Sequence, residues 1–297
     1  MHASFRISPF AVMLLAALWS ASCSQPAADT PVDLKLITYN VWYGFTQKPE
    51  RKPQWLAWMQ AQQPDIVCLQ ELNEYTPQQL QQDAASWGHP YSVLLKEQGF
   101  PTGITSRYPI EDVQKTLDGF HHGLIRARIR GMYVYCIHLH PSNWEVRIRE
   151  MNQILADIAA LPADAPVILA GDFNTFSPQD SVYYAHGLLE PFFARLDSAN
   201  PNARNLRDGR LDYTPLSLLT AAGFTDLEHR LRPDGYVFTG TFPGRIVQEE
   251  DHGALRRLDF VFVNAALLPA LRRASIVADD TTQMLSDHLP VVVEWKP

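Results

Sequence analysis

From residue 34 onward, short apolar runs alternate with amphipathic stretches, and their spacing predicts the elements. Residues 34–39 (LKLITY), 66–69, 134–139, 167–170, 258–263 and 289–295 are near-continuous apolar runs of strand length, as expected of strands covered on both faces. Residues 124–129 (LIRARI) alternate instead, with Arg126, Arg128 and Arg130 on one face, which predicts a half-exposed antiparallel strand. Helices are predicted over 53–61, where a proline opens the first turn and Trp55, Trp58 and Met59 share a side, and over 145–161. There is no repeat and no second block of composition. Residues 176–253, rich in Pro, Asn, Asp and Arg, read as an insertion over one face of a single domain spanning 34–297. Parallel and antiparallel signals together predict an α/β layered sandwich.

Composition changes this picture at the N-terminus and in the choice of partner. Of 297 residues, 46% are hydrophobic and 19% charged, which supports one large core and disfavours a disordered or coiled-coil chain. The net charge of -7 lacks the basic footprint of a protein that grips long nucleic acid, although a local basic groove stays open. Residues 1–22 read as an export signal. Arg6 is followed by an apolar run at 10–19 (FAVMLLAALW) that is too short to cross a bilayer, then Ser20-Ala21-Ser22 and Cys23. That ending resembles the lipobox of bacterial lipoproteins, with Ser20 where leucine is usual. It implies a lipid on Cys23 and a polar tether at 23–33; ordinary cleavage to a periplasmic or secreted protein is the alternative. Cys68 and Cys136 sit in apolar runs and read as small buried hydrophobes, with a disulfide between them left open.

Candidate chemistry gathers at the strand ends. The first strand ends in Asn40, the second in Gln70-Glu71, the run at 134–139 carries His138 with His140 just beyond, and the run at 167–170 leads into Gly171-Asp172-Phe173-Asn174. Asp259 opens one later strand, and Ser286-Asp287-His288 precedes another. Each alone is ordinary turn chemistry. Six such signals with oxygen or imidazole donors are not. Phosphoester hydrolysis needs a nucleophile aligned with the leaving group and compensation of charge on the phosphate oxygens. Glu71, with Asn40 and Asp287 beside it, offers oxygen ligands for one Mg²⁺ or two, with Mn²⁺ as a substitute.

The ordered set Tyr39-Asn40-Val41, Gln70-Glu71, Ser106-Arg107-Tyr108-Pro109-Ile110, His138-Leu139, Gly171-Asp172-Phe173-Asn174, Asp259-Phe260-Val261 and Ser286-Asp287-His288 resembles the endonuclease/exonuclease/phosphatase superfamily. The resemblance implies a four-layer α/β/β/α sandwich, two mixed sheets face to face with helices outside, and a site at one edge of the sheets. It implies Glu71 as the main metal ligand, Asp172 orienting or deprotonating water, and Asn174 holding a phosphate oxygen. Asp259 would fix the tautomer of His288, which then acts as a base or a phosphate clamp, so the base is Asp172 or His288. Family position favours His138 over His140 for the phosphate or leaving group, with His140 at the rim. Arg107 either reaches a phosphate or belongs to a structural turn. His121-His122 reads as loop.

These residues predict an exported, monomeric Mg²⁺-dependent phosphoric ester hydrolase acting on a phosphodiester or phosphomonoester. A nuclease would draw on Arg204, Arg207 and Arg210, and a sphingomyelinase or phospholipase-type enzyme on an apolar loop near Phe224 or 236–238. A phosphatase for small phosphates would want a compact basic pocket. A surface-tethered binding protein without catalysis is the alternative from another class.

Overall fold

The computed structural model describes residues 1–2, 33–184, 187–247 and 249–296. The expected export signal, Cys23 and all of the tether but Asp33 therefore lie outside the described residues, apart from Met1 and His2.

Strands β1 (Leu34–Asn40), β2 (Ile66–Gln70), β3 (Tyr91–Leu94) and β4 (Gly103–Ser106) are followed by β5 (Glu111–Thr116), β6 (Leu124–Ile129), β7 (Met132–His138) and β8 (Val167–Asp172). A small hairpin of β9 (Leu206–Arg207) and β10 (Arg210–Leu211) stands apart. The chain then returns through β11 (Thr225–Asp226), β12 (Asp259–Val263), β13 (Leu271–Ile276) and β14 (Val291–Trp295). Two six-stranded mixed sheets result, ordered β13-β14-β1-β2-β4-β3 and β11-β12-β8-β7-β6-β5. Within each, one central pair is parallel, β1 with β2 and β7 with β8.

Side-chain alternation explains the layers. Leu34 and Leu36 of β1, Ile66 and Cys68 of β2, Val134 and Cys136 of β7, Ile168 and Ala170 of β8 and Val261 and Val263 of β12 all enter one core between the sheets. The opposite faces bury against helices. Ile37, Tyr39, Val67 and Leu69 pack with Trp55, Trp58 and Met59 of α1 (Lys52–Gln62) and Leu80 and Ala84 of α2 (Pro77–Ser86). Tyr135, Ile137 and Leu169 pack with Met151 and Ile154 of α3 (Trp144–Ala159). This is the four-layer α/β/β/α sandwich. Cys68 and Cys136 face each other in the core as free thiols.

The stretch 176–253 is only partly an insertion. Its first half, with α4 (Glu190–Ala199), builds a satellite core of Phe176, Tyr184, Leu189, Phe193 and Leu211 with Phe242 and Leu258. Its second half joins the sandwich: Leu216 and Leu219 of α5 (Thr214–Ala221) pack in the layer of α3, and β11 extends the second sheet.

Candidate active site

The core-facing parity of the strands continues to their ends, where the residue type changes from apolar to polar. Asn40 follows Leu36 and Thr38 on the inner face of β1, His138 follows Val134 and Cys136, and Asp172 follows Ile168 and Ala170; Asp259 precedes Val261. Because β8 pairs with β12 at Asp172↔Asp259 and with β7 at His138↔Asp172, these groups meet at one edge of the inter-sheet core. Glu71 joins them because the chain turns sharply after β2, with Glu71 itself at φ 59°.

A pocket of about 320 Å³ opens there, and Glu71, His138, Asp172, Asn174, Asp287 and His288 all line it. Asn40 lies beneath as a bridge: its Nδ2 donates to Glu71 Oε1 (3.2 Å) and Asp172 Oδ2 (3.1 Å), while its Oδ1 accepts from Trp42 N–H (3.0 Å). Glu71 Oε2 accepts from Tyr43 N–H (2.9 Å). Asp172 is further fixed by Asn174, whose N–H donates to Oδ1 (2.8 Å) from a left-handed backbone at φ 47°. Ser286 donates its hydroxyl to the Asn40 carbonyl (2.8 Å) and so ties the 286–288 turn to the end of β1.

Asp259 and His288 form the expected pair, with Asp259 Oδ2 and His288 Nδ1 2.7 Å apart. Thr241 Oγ1 accepts from the N–H groups of both Leu258 and Asp259 and thereby sets the carboxylate. The Nε2 of His288 faces Asp172 Oδ2 at 3.8 Å, and His138 Nε2 faces the same oxygen at 3.6 Å. Burial works against a charge on His288, but Asp259, and beyond it Asp172, outweigh burial and push the imidazole up to about 10. His138 has no carboxylate in hydrogen-bond contact, and burial, reinforced by His288, pulls it down to about 3. Asp172 is raised by burial and held back by His288. Burial, opposed by His288 and reinforced by Glu71, pushes Asp287 up to about 7. A cationic His288, a neutral His138 and the carboxylates of Glu71, Asp172 and Asp287 therefore share the pocket.

Two observations test the fit to a divalent cation. Glu71 and Asp287 sit close enough to repel each other's charge, and a buried oxygen of Asp259 lacks any hydrogen-bond partner. Oxygen donors crowded in this way suit a hard cation. The tightest trio, Asp172, Asp259 and His288 with ligand atoms within 4.8 Å, already holds the internal Asp259–His288 hydrogen bond. Glu71 and Asp287 are therefore the more available metal donors, and Asn40, whose Nδ2 faces Glu71 and Asp172, would join them by turning its Oδ1 to that side.

Two expected substrate residues are absent from the pocket wall, Arg107 far from it and His140 just behind His121, with the two rings 4.1 Å apart. Arg107 follows β4, whose end pairs with the start of β2, so it stands at the far end of the sheet, paired with Asp65 at 3.4 Å. Arg107 does not line the pocket. His140 is spent on local structure: its Nδ1 accepts from Ser142 N–H (3.1 Å), its own N–H donates to Glu150 (2.9 Å), and it does not line the pocket. Conversely, His121 and His122, read as loop, do line it, and the His122 ring stacks on His138 at 4.0 Å and 14°. The signal was available. A tight turn at Arg130-Gly131 pairs Ile125 with Cys136, and the register carried two residues on sets Gly123 beside His138. Trp42, Tyr43, Phe100 and Phe242 complete an aromatic rim.

A family model described as the Endonuclease/Exonuclease/phosphatase family matches residues 37–288. The DNA repair nuclease APEX1 of Danio rerio is 24% identical over 263 residues, which cover 80% of this chain and 75% of that protein. Among solved structures, an AP endonuclease from Archaeoglobus fulgidus superimposes with a TM-score of 0.63 at 21% identity, over 89% of this chain and 100% of the other. The 3′ phosphatase NExo from Neisseria, bound to a product DNA hairpin, gives a TM-score of 0.63 at 19% identity over the same shares.

Proposed function

The chain belongs to the endonuclease/exonuclease/phosphatase family, and on that footing we propose that it is a divalent-metal-dependent phosphoester hydrolase using the pocket at the sheet edge. The observation that carries this reading is the convergence of Glu71, His138, Asp172, Asn174, Asp287 and His288 on one cavity, with Asp259 behind His288. Glu71, Asp287 and Asn40 would hold the metal, which when bound neutralises charge on the phosphate. Asp172, held at Oδ1 by Asn174 N–H, keeps Oδ2 toward the pocket, where it accepts a proton from the attacking water. As the water oxygen bonds to phosphorus, the ester P–O bond opposite breaks, the leaving oxygen departs with the bonding pair and takes a proton from solvent water, and Asp172 returns its proton to solvent. His288, kept protonated by Asp259, donates through Nε2 to a phosphate oxygen. Asn174 Nδ2 has one hydrogen beyond its bond to Leu139 O for a second phosphate oxygen. Neutral His138 lies within reach of the same centre.

The charges favour a compact phosphate ester or a nucleic-acid end over a long duplex. Arg204 is paired with Glu145 (2.9 Å) and Arg207 with Asp212 (3.6 Å), so two of the three clustered arginines are already neutralised. DNA-processing relatives support the nucleic-acid end as the second reading. We also propose export, supported by the charge and apolar pattern of residues 1–23; the mass of the mature N-terminus tests it, with or without a lipid on Cys23. For the catalytic reading, hydrolysis of bis-p-nitrophenyl phosphate should require Mg²⁺ or Mn²⁺ and stop with EDTA. It should fall about 10²–10⁴-fold in Glu71→Ala, Asp172→Ala and His288→Ala variants that fold normally. Turnover in EDTA, or full activity in Asp172→Ala, would overturn it.

A further inference from the structure

Two buried arginines, Arg147 and Arg256, are left without an anion. Arg147 in α3 is 2% exposed, and Arg256, just before β12, is 5% exposed. Arg147 donates only to the carbonyls of His140 (3.1 Å) and Pro141 (3.3 Å), and Arg256 only to those of His252 (2.7 Å) and Ala254 (2.9 Å). The Nε of each is buried with no partner. Among the described residues, neither forms an ion pair with a carboxylate. Acidic groups act on them only from a distance: Asp212, Glu150, Asp172 and Asp197 toward Arg147, and Tyr184 and Asp172 toward Arg256. Burial pulls both guanidinium groups down to about 10, the sign of charges that their surroundings do not match.

Arg257, the next residue, shows how this protein treats a structural buried arginine. It is fully enclosed and bonded to Asp180 (2.7 Å), Asp226 and Glu228 (2.8 Å). Arg256 has three rings around its guanidinium carbon instead, Phe242 at 4.6 Å, Phe193 at 5.3 Å and Phe192 at 5.5 Å. Aromatic faces hold a cation in place but supply no acceptor. Enclosing a full charge without an opposing one is costly, and arginine does not escape by losing its proton.

Both side chains line the same small cavity, of about 40 Å³, together with Asn174, Asn205, Phe176 and Phe193. No carboxylate and no histidine is in its wall. Asn174 and Arg256 also line the catalytic pocket, so the two spaces share a wall. A lining of two guanidinium groups and amides selects an oxyanion, and the planar fork of arginine matches phosphate. The volume, an eighth of the catalytic pocket, suits one compact group and not the continuation of a polymer.

We propose that this cavity is a subsite for a terminal phosphate of the substrate, placed beside the ester that is cut. This deepens the hydrolase reading and rests on it: the substrate would carry two phosphates, one cleaved and one held by Arg147 and Arg256.

The test has two arms on the full chain. In EDTA, calorimetric titration with inorganic phosphate should show one ion bound per chain, and that binding should persist in His288→Ala, which removes the cation of the catalytic pocket. Arg147→Gln and Arg256→Gln should weaken this by about tenfold or more, as expected for removal of one partner from a buried charge-assisted contact. Absence of binding to the wild type at millimolar phosphate, or wild-type affinity in both variants, would overturn the subsite. Should either variant fail to fold, Arg147→Lys and Arg256→Lys keep the charge without the fork and should bind phosphate measurably more weakly. In Mg²⁺, thymidine 5′-(p-nitrophenyl phosphate) is compared with the same ester bearing a 3′-phosphate. The second should have the higher kcat/KM by about tenfold, and the advantage should shrink toward one in Arg147→Gln. A wild-type ratio near one would refute a substrate role, even if free phosphate binds. If neither ester nor bis-p-nitrophenyl phosphate is hydrolysed, the hydrolase reading fails, and the phosphate titration alone decides the subsite.

Discussion

Asp259 never needs to touch the substrate, yet the state of His288 depends on it. Its 2.7 Å contact with Nδ1 leaves Nε2 aimed at the pocket, and its charge keeps the ring cationic against burial. Asp259→Asn preserves the shape and removes that charge, so kcat should fall by about 10²–10⁴-fold with an unchanged circular-dichroism spectrum. Unaltered kcat would mean that His288 is no participant. A second histidine tests stability instead of catalysis. His89 Nε2–H donates to Pro64 O (2.8 Å), and its Nδ1 lies 2.8 Å from Thr105 Oγ1, so the ring is held between two partners inside the fold. Burial lowers it from 6.5 to about 4. The unfolded chain therefore takes up a proton below about pH 6.5 that the folded chain refuses until about pH 4, and stability falls as pH drops through that window. The loss is on the order of 3 kcal/mol at most. Urea midpoints at pH 7 and pH 4.5 should differ less in His89→Gln than in the wild type; an identical pH dependence would remove His89 from the account. Much of the site could be read from residue type and motif, because strand ends carry their donors in chain order. Arg107 could not, since its motif position says nothing of which end of the sheet it occupies. Arg147 and Arg256 could not either, because a basic residue in sequence carries no sign of whether an acid will be near it.

Elements place these side chains through parity and direction. The parallel strands β1, β2 and β8 deliver Asn40, Glu71 and Asp172 at or just beyond their C-terminal ends, while antiparallel β12 delivers Asp259 at its start. Both arrive at one edge. Gly171 is where this is most constrained: at φ 154° it lies against β7, and a Cβ there would collide with the Ile137 carbonyl oxygen. Gly171→Ala should therefore cost about 1–3 kcal/mol and displace Asp172. The expected readout is a lower urea midpoint together with reduced kcat, and a variant equal to wild type in both would contradict the close approach. The apolar runs and the helix at 144–159 were legible to within one or two residues, because each buries a continuous face and Asn143 caps the helix by accepting from Glu145 and Val146 N–H. The stretch 176–253 was not. Its two-residue strands and short helices have too few turns for a period to emerge, so the incorporation of α5 and β11 into the sandwich follows from tertiary packing alone.

At the scale of the whole molecule, two sheets bury one core, and the edge of that core becomes the reactive pocket where its facing residues turn polar. The layered fold was predictable from the alternation of apolar runs with helices, and the family's collinear motifs sharpened it to four layers. The net charge is -7, and two of the three clustered arginines, Arg204 and Arg207, stand beside Glu145 and Asp212 at the surface. The central claim is that this edge directs water onto phosphorus. Hydrolysis of bis-p-nitrophenyl phosphate in oxygen-18 water, under single-turnover conditions with Mg²⁺, tests it most directly. The account predicts one heavy oxygen in the p-nitrophenyl phosphate and none in the released nitrophenol, with the product absent in Asp172→Asn. Label in the nitrophenol, or labelled phosphate formed equally well by Asp172→Asn, would contradict it.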